Sequence, residues 1–151
     1  MKKNGCPRGQ WKKNGECTPI PQDIHKLRKQ VMNHLYRARE LTQIHSGKKM
    51  PWIKVRIKPL PENKKGKTLA RVDSIGISDN NEMDISERMT EWTNLELKST
   101  VFHELGHKYL DAPHVKDSKN LMYPYRNRRI ITNKKIEEDF IELAKKKKRM
   151  K

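Results

Sequence analysis

His103-Glu104-Leu105-Gly106-His107 sets two imidazoles four residues apart with a carboxylate between them. On a helix, residues i and i+4 share a face, so both rings can reach one ion. Glu104 lies beside that face, placed to take a proton from a water on the ion. The surroundings read as helix. Thr93-Asn94-Leu95-Glu96 has capping-box spacing, with Thr93 as N-cap and Glu96 reaching back to it. Val101, Phe102, Leu105 and Tyr109 share one face, and at roughly 100° per residue the two histidines fall well off it. One helix thus has a core-facing side and a metal-facing side.

H-E-x-x-H is the arrangement of zinc peptidases, in which the glutamate serves as general base. Two histidines do not hold a catalytic Zn2+; a third protein ligand is needed, with water in the fourth position. Downstream come Asp111-Ala112-Pro113-His114 and then Asn120-Leu121-Met122-Tyr123-Pro124. Over His103 to about Tyr125 the chain resembles the metzincin peptidases, whose extended histidine motif is followed by a methionine-containing turn. The resemblance implies His103, His107 and His114 as zinc ligands and Glu104 as the catalytic base. It implies Met122 as an apolar floor beneath the ligands, although ordinary core filling asks the same of a methionine.

The chain departs from that pattern. His114 lies one residue further on than the family's third histidine, and no glycine turns the chain before it. Asp111 is a candidate for the turn, since aspartate tolerates the left-handed conformation better than most residues. Pro113 would stop any further helix. Asp111 is also the rival to His114 as an oxygen ligand, and a surface role for His114 is the third alternative. Tyr123-Pro124-Tyr125 resembles the segment that walls the substrate pocket, but its order differs. Either tyrosine is a candidate donor to a developing oxyanion or a packing residue with a wet hydroxyl tip.

Length and charge set the wider bounds. The 151 residues suit one main domain. Only 33% are apolar and 35% are charged, so a small core under a heavily solvated surface is expected. The net charge of +17, from 35 basic and 18 acidic side chains, favours an anionic partner such as nucleic acid or an envelope. Lys145-Lys146-Lys147-Lys148-Arg149 reads as a solvated basic tail, or as a helix end whose cations suit the macrodipole. No apolar run approaches a membrane span and no apolar signal region follows the first lysines. A cytoplasmic location is the default expectation, with export or virion association as alternatives.

Cys6 and Cys17 sit in a near-repeat, Lys2-Lys3-Asn4-Gly5-Cys6 and Lys12-Lys13-Asn14-Gly15-Glu16-Cys17. Asn-Gly is a strong turn signal, so a small cysteine hairpin is expected ahead of the main domain. Its redox state depends on the compartment. After the linker Thr18-Pro19-Ile20-Pro21, an amphipathic helix is predicted from about Gln22 to His45, stopped by Gly47. Its histidines, His25, His34 and His45, are not assigned to the metal.

Trp52 to Lys58 alternates as a half-buried strand, and Leu69 to Ser78 reads as one or two more. Ile75-Gly76-Ile77-Ser78 is the candidate for the edge strand that, in the resembled family, pairs with substrate. A plain buried strand is the alternative. Asp79 to Glu91 is expected to be a polar loop, and Thr132 or Asn133 to open a last helix through Ile136, Phe140 and Leu143.

The expected fold class is α+β, a zincin-like minimal metzincin with a small twisted mixed sheet packed on helices. The organisation reads as a cysteine hairpin extension (1–19), a zinc metallopeptidase domain (20–144) and a basic tail (145–151). The expected function is zinc-dependent hydrolysis of peptide bonds in a protein or peptide substrate. Two alternatives stay open: a DNA-associated protease acting on nucleic-acid-bound proteins, and a non-catalytic, zinc-stabilised basic binding protein.

Overall fold

Apolar residues recurring at helical spacing from Ile24 to Leu41 build the longest element, α1 (Gln22–Ser46), and all of them are buried. The computed structural model describes residues 5–13, 15–58, 75–78, 80–117, 119–123 and 132–149. Gly47 ends α1 in the left-handed conformation (φ 72°), and its N–H bonds to the Gln43 carbonyl. Two further helices, α2 (Asn94–Leu110) and α3 (Asn133–Arg149), pack on α1 and on each other. Phe102 and Phe140 meet at their interface, with ring centroids 4.8 Å apart.

The capping box of α2 is present in both directions. Thr93 Oγ1 accepts from Glu96 N at 3.1 Å, and Glu96 Oε1 accepts from Thr93 N at 3.0 Å. Thr132 caps α3, its hydroxyl accepting from Lys135 N at 3.1 Å. This helix continues through Lys145–Lys148, so the basic run forms its last turns, and Lys147 pairs with Asp111.

The main sheet has strands β3 (Lys54–Lys58), β4 (Ile75–Ile77) and β5 (Glu82–Ser86), in the order β3-β5-β4. β5 is parallel to β3, with Lys54 opposite Glu82 and Lys58 opposite Ser86. It is antiparallel to β4, with Ile77 opposite Met83. The polar loop expected from Asp79 to Glu91 is therefore corrected: it holds the central strand, followed by a 3-10 helix at Glu87–Glu91. Met83 and Ile85 are the only apolar residues of β5 and both are buried, too short an alternation to read alone. On the sheet's outer face its carboxylates are neutralised from β3. Asp84 accepts from Arg56 Nε at 2.9 Å, and Glu82 lies 3.4 Å from the same nitrogen. The part of the expected strand region before Ile75 lies outside the described residues.

Ile53, Val55 and Ile57 turn inward with Met83 and Ile85 onto Leu27, Val31, Val101 and Leu105, forming one core. The architecture is α+β, with three α-helices and two small sheets among the described residues. The second sheet is the N-terminal hairpin, β1 (Gln10–Lys13) and β2 (Glu16–Pro19), closed by a Cys6–Cys17 disulfide. Trp11 packs against the core and Lys13 Nζ lies 2.6 Å from Glu87 Oε1, so the hairpin is seated on the main body. Among the described residues no helix is long and apolar enough to cross a membrane.

Candidate metal centre

His103 and His107 stand one turn apart on α2, the first buried and the second half-buried. Asp111 closes the helix in the left-handed conformation (φ 52°, ψ 32°), the role proposed for it in the absence of a glycine. The Ala112 N–H then donates back to the Gly106 carbonyl at 3.0 Å. The chain reverses there, which brings His114 from the exposed loop to the same pair of rings. The His114 ring stacks on His103 at 5.2 Å and meets His107 edge-on at 4.5 Å.

Among the described residues these three histidines form a group able to hold a metal ion, with ligand atoms all within 4.8 Å of one another. Asp111 stands outside it: its carboxylate is exposed and paired with Lys147. His25, His34 and His45 are also outside it. Instead, His34 bonds through Nε2 to Asn94 Oδ1 at 2.9 Å, and burial lowers its pKa below the ordinary imidazole value.

The hydrogen bonds behind the rings decide what they can bind. His103 Nδ1 lies 2.9 Å from the Leu121 carbonyl oxygen, and His107 Nδ1 lies 2.6 Å from that of Ala112. A carbonyl only accepts, so each Nδ1 carries a proton, the tautomer that leaves Nε2 as the atom able to ligate a metal. Those two Nε2 atoms stand 3.1 Å apart. Two lone pairs that close would repel, and a cation held between them would reverse the sign of the interaction. A tetrahedral ion bound at the usual zinc–nitrogen length separates its ligand nitrogens by about 3.3 Å. The helical pair matches that edge. The full set is more open, its ligand atoms spreading to 4.8 Å, and His114 is its exposed member.

Support for the pair comes from below. Leu121 N donates to Asp139 Oδ2 on α3 at 2.9 Å, so α3 anchors the residue whose carbonyl holds His103. The Val115 N–H donates to the Met122 carbonyl at 3.1 Å and ties the His114 segment to the same turn. Met122 is buried with its sulfur against α2, where a β-carbon at Gly106 would stand 3.0 Å from Sδ. Gly106 is costly inside a helix, and close approach is the reason it is there. That glycine was the legible signal of this contact. The Ala112 and Leu121 carbonyls carry none, because main-chain acceptors are common to every residue.

Glu104, next to His103 on α2, is half-buried. Tyr123 is half-buried and its N–H bonds to the Asn120 carbonyl at 3.1 Å. Pro124 and Tyr125, the remaining candidates for the pocket wall and oxyanion donor, lie outside the described residues. Among the described strands β4 lies at the edge of the main sheet, against α2. Comparison of the chain with protein-family models, with curated proteins and with solved structures found no match.

Proposed function

We propose that the protein is a zinc-dependent metalloendopeptidase of minimal, metzincin-like build. The observation that carries this reading is the Nε2–Nε2 approach of His103 and His107 at 3.1 Å, with both Nδ1 atoms bonded to carbonyls and His114 beside them. Neutral imidazoles with an H-E-x-x-H carboxylate on the same helix suit Zn2+ in a hydrolytic site better than the oxygen-seeking divalent ions. A bound zinc ion supplies Lewis acidity towards the scissile carbonyl and makes a nearby water acidic near neutral pH.

The chain's own groups do the rest. His103, His107 and His114 hold the ion. The Glu104 carboxylate accepts a proton from the attacking water and returns it to the nitrogen of the leaving amine. β4 has β5 on one side only among the described strands, so an extended peptide can add to it as an antiparallel strand beside α2. The Leu121 carbonyl fixes the orientation of the His103 ring.

The test is proteolysis of an unfolded, fluorescently quenched protein by zinc-loaded enzyme. Glu104→Gln should retain stoichiometric zinc and lose activity by about a hundredfold or more, the usual worth of a general base. Intact proteolysis in that variant, or purified protein without stoichiometric zinc, defeats the proposal.

A further inference from the structure

A second surface lies away from the histidines, where α1 meets the segment leading into β3. Trp52 and Tyr36 stand there with ring centroids 5.7 Å apart, and they remain 53% and 51% exposed. The Arg39 guanidinium lies 5.3 Å from the Trp52 ring centre. The pair is held in place rather than dangling. Arg39 Nε donates to the Met50 carbonyl at 3.3 Å, and Arg28 Nη1 donates to the Val55 carbonyl at 2.8 Å, pinning the strand lead-in to α1. Isolated exposed aromatics are normal, but two tilted rings in contact, one of them beneath a guanidinium, form a platform.

The charge around the platform is predominantly positive, with Glu40, one turn after Tyr36, paired to Arg37. Between Gln22 and Lys58 the chain has ten basic and two acidic side chains. Arg37, Arg56 and Lys58 are neutralised by carboxylates. Lys29, Lys48, Lys49 and Lys54 are exposed and form no ion pair with a described carboxylate. Lys29 lies two turns before Tyr36 on the same helix face.

We infer that this face binds single-stranded nucleic acid, with bases stacked on Trp52 and Tyr36 and phosphates on Arg39 and the surrounding lysines. A protein partner would meet a lysine-rich rim, which interfaces avoid. Duplex bases are already stacked and offer no free face to a ring, whereas unpaired bases do. Charge complementarity is to a polyanion, and the rings select the unstacked form. The inference stands whether or not the histidine site cleaves peptides.

Fluorescence anisotropy with the full chain tests it, using labelled oligodeoxythymidylate of about twenty nucleotides and a duplex of equal length. The single strand should bind about tenfold more tightly than the duplex at about 0.1 M salt, with affinity falling as salt rises. Trp52→Ala and Tyr36→Ala should each weaken single-strand binding by about tenfold and leave duplex binding unchanged. Trp52→Phe, which keeps a stacking ring, should recover most of the loss. Lys29→Glu should weaken both ligands and flatten the salt dependence, which keeps the test informative if a ring variant misfolds.

Equal affinity for both ligands, with no effect of the ring variants, would overturn the inference and leave only non-specific charge. Trp52-dependent binding to phosphatidylserine-containing vesicles without oligonucleotide binding would overturn it in favour of a lipid surface.

Discussion

Met122 lies directly beneath Gly106, its sulfur 3.0 Å from where a β-carbon of that residue would sit, between the two histidines of α2. Leu143 Cδ1 stands 3.3 Å from the same point. Gly106→Ala should gain about 1 kcal/mol of helix propensity but lose about 1–3 kcal/mol to overpacking. The expected net result is a small loss of stability with a clear loss of zinc affinity, since displacing Met122 moves the Leu121 carbonyl that holds His103. Denaturant unfolding and zinc titration of the same variant separate the two effects.

His114 and Asp111 should part company on substitution. His114→Ala removes a proposed ligand and should weaken zinc binding by more than tenfold, measured by competition with a chromophoric chelator. Asp111→Asn keeps a residue that accepts the left-handed turn and should bind zinc almost as the parent does. Asp111→Ala should cost about 1 kcal/mol through its positive φ. Equal zinc affinity in His114→Ala and the parent would remove His114 from the ligand set.

Glu137 joins all three helices: it bonds Arg37 on α1 at 2.7 Å and Lys98 on α2 at 2.6 Å. Those partners, the Arg37 hydrogen bonds first, hold its pKa down to about 2 from the ordinary 4.5. The folded state therefore binds fewer protons than the unfolded chain between these values. Its contribution is complete above about pH 4.5 and is lost as pH falls towards about 2. Glu137→Gln should flatten that acid limb in urea unfolding. It should also cost about 3 kcal/mol at neutral pH, because Lys98 is left buried without its counter-charge.

His34 shows the opposite sign of group and the same sign of slope. Burial, partly offset by its bond to Asn94, keeps the ring neutral, so unfolded chain takes up protons first as pH falls below the ordinary 6.5. Stability should decline below that pH, and His34→Gln should weaken the decline when measured on metal-free protein.

Reducing the Cys6–Cys17 bond opens a short loop and should cost about 2–3 kcal/mol by the chain-entropy estimate. Trp11, packed on the core from β1, reports whether the hairpin leaves: its emission should shift to the red in the Cys6→Ser, Cys17→Ser variant.

Features governed by neighbours in sequence were legible from sequence. The apolar stripe of α1, the Thr93–Glu96 capping box, the pairing of the N-terminal hairpin strands and the left-handed Asp111 each follow from a few consecutive residues, and the structure contains them. Spacing alone also placed His103 and His107 on one face, because helix geometry is the same everywhere. What depended on distant partners was not legible. Met83 and Ile85 make a central strand only because β3 supplies Arg56 and hydrogen-bonding edges from across the fold. The resemblance names His114, with Asp111 and a surface role as alternatives. The place of His114 beside the histidine pair depends on the turn at Asp111 and on the Val115–Met122 bond, with Asp139 of α3 anchoring Leu121 beneath. The amino-acid order thus determined the local elements and the identity of the chemical groups. Tertiary packing decided which of them meet, because the energy of a contact depends on where both partners end up.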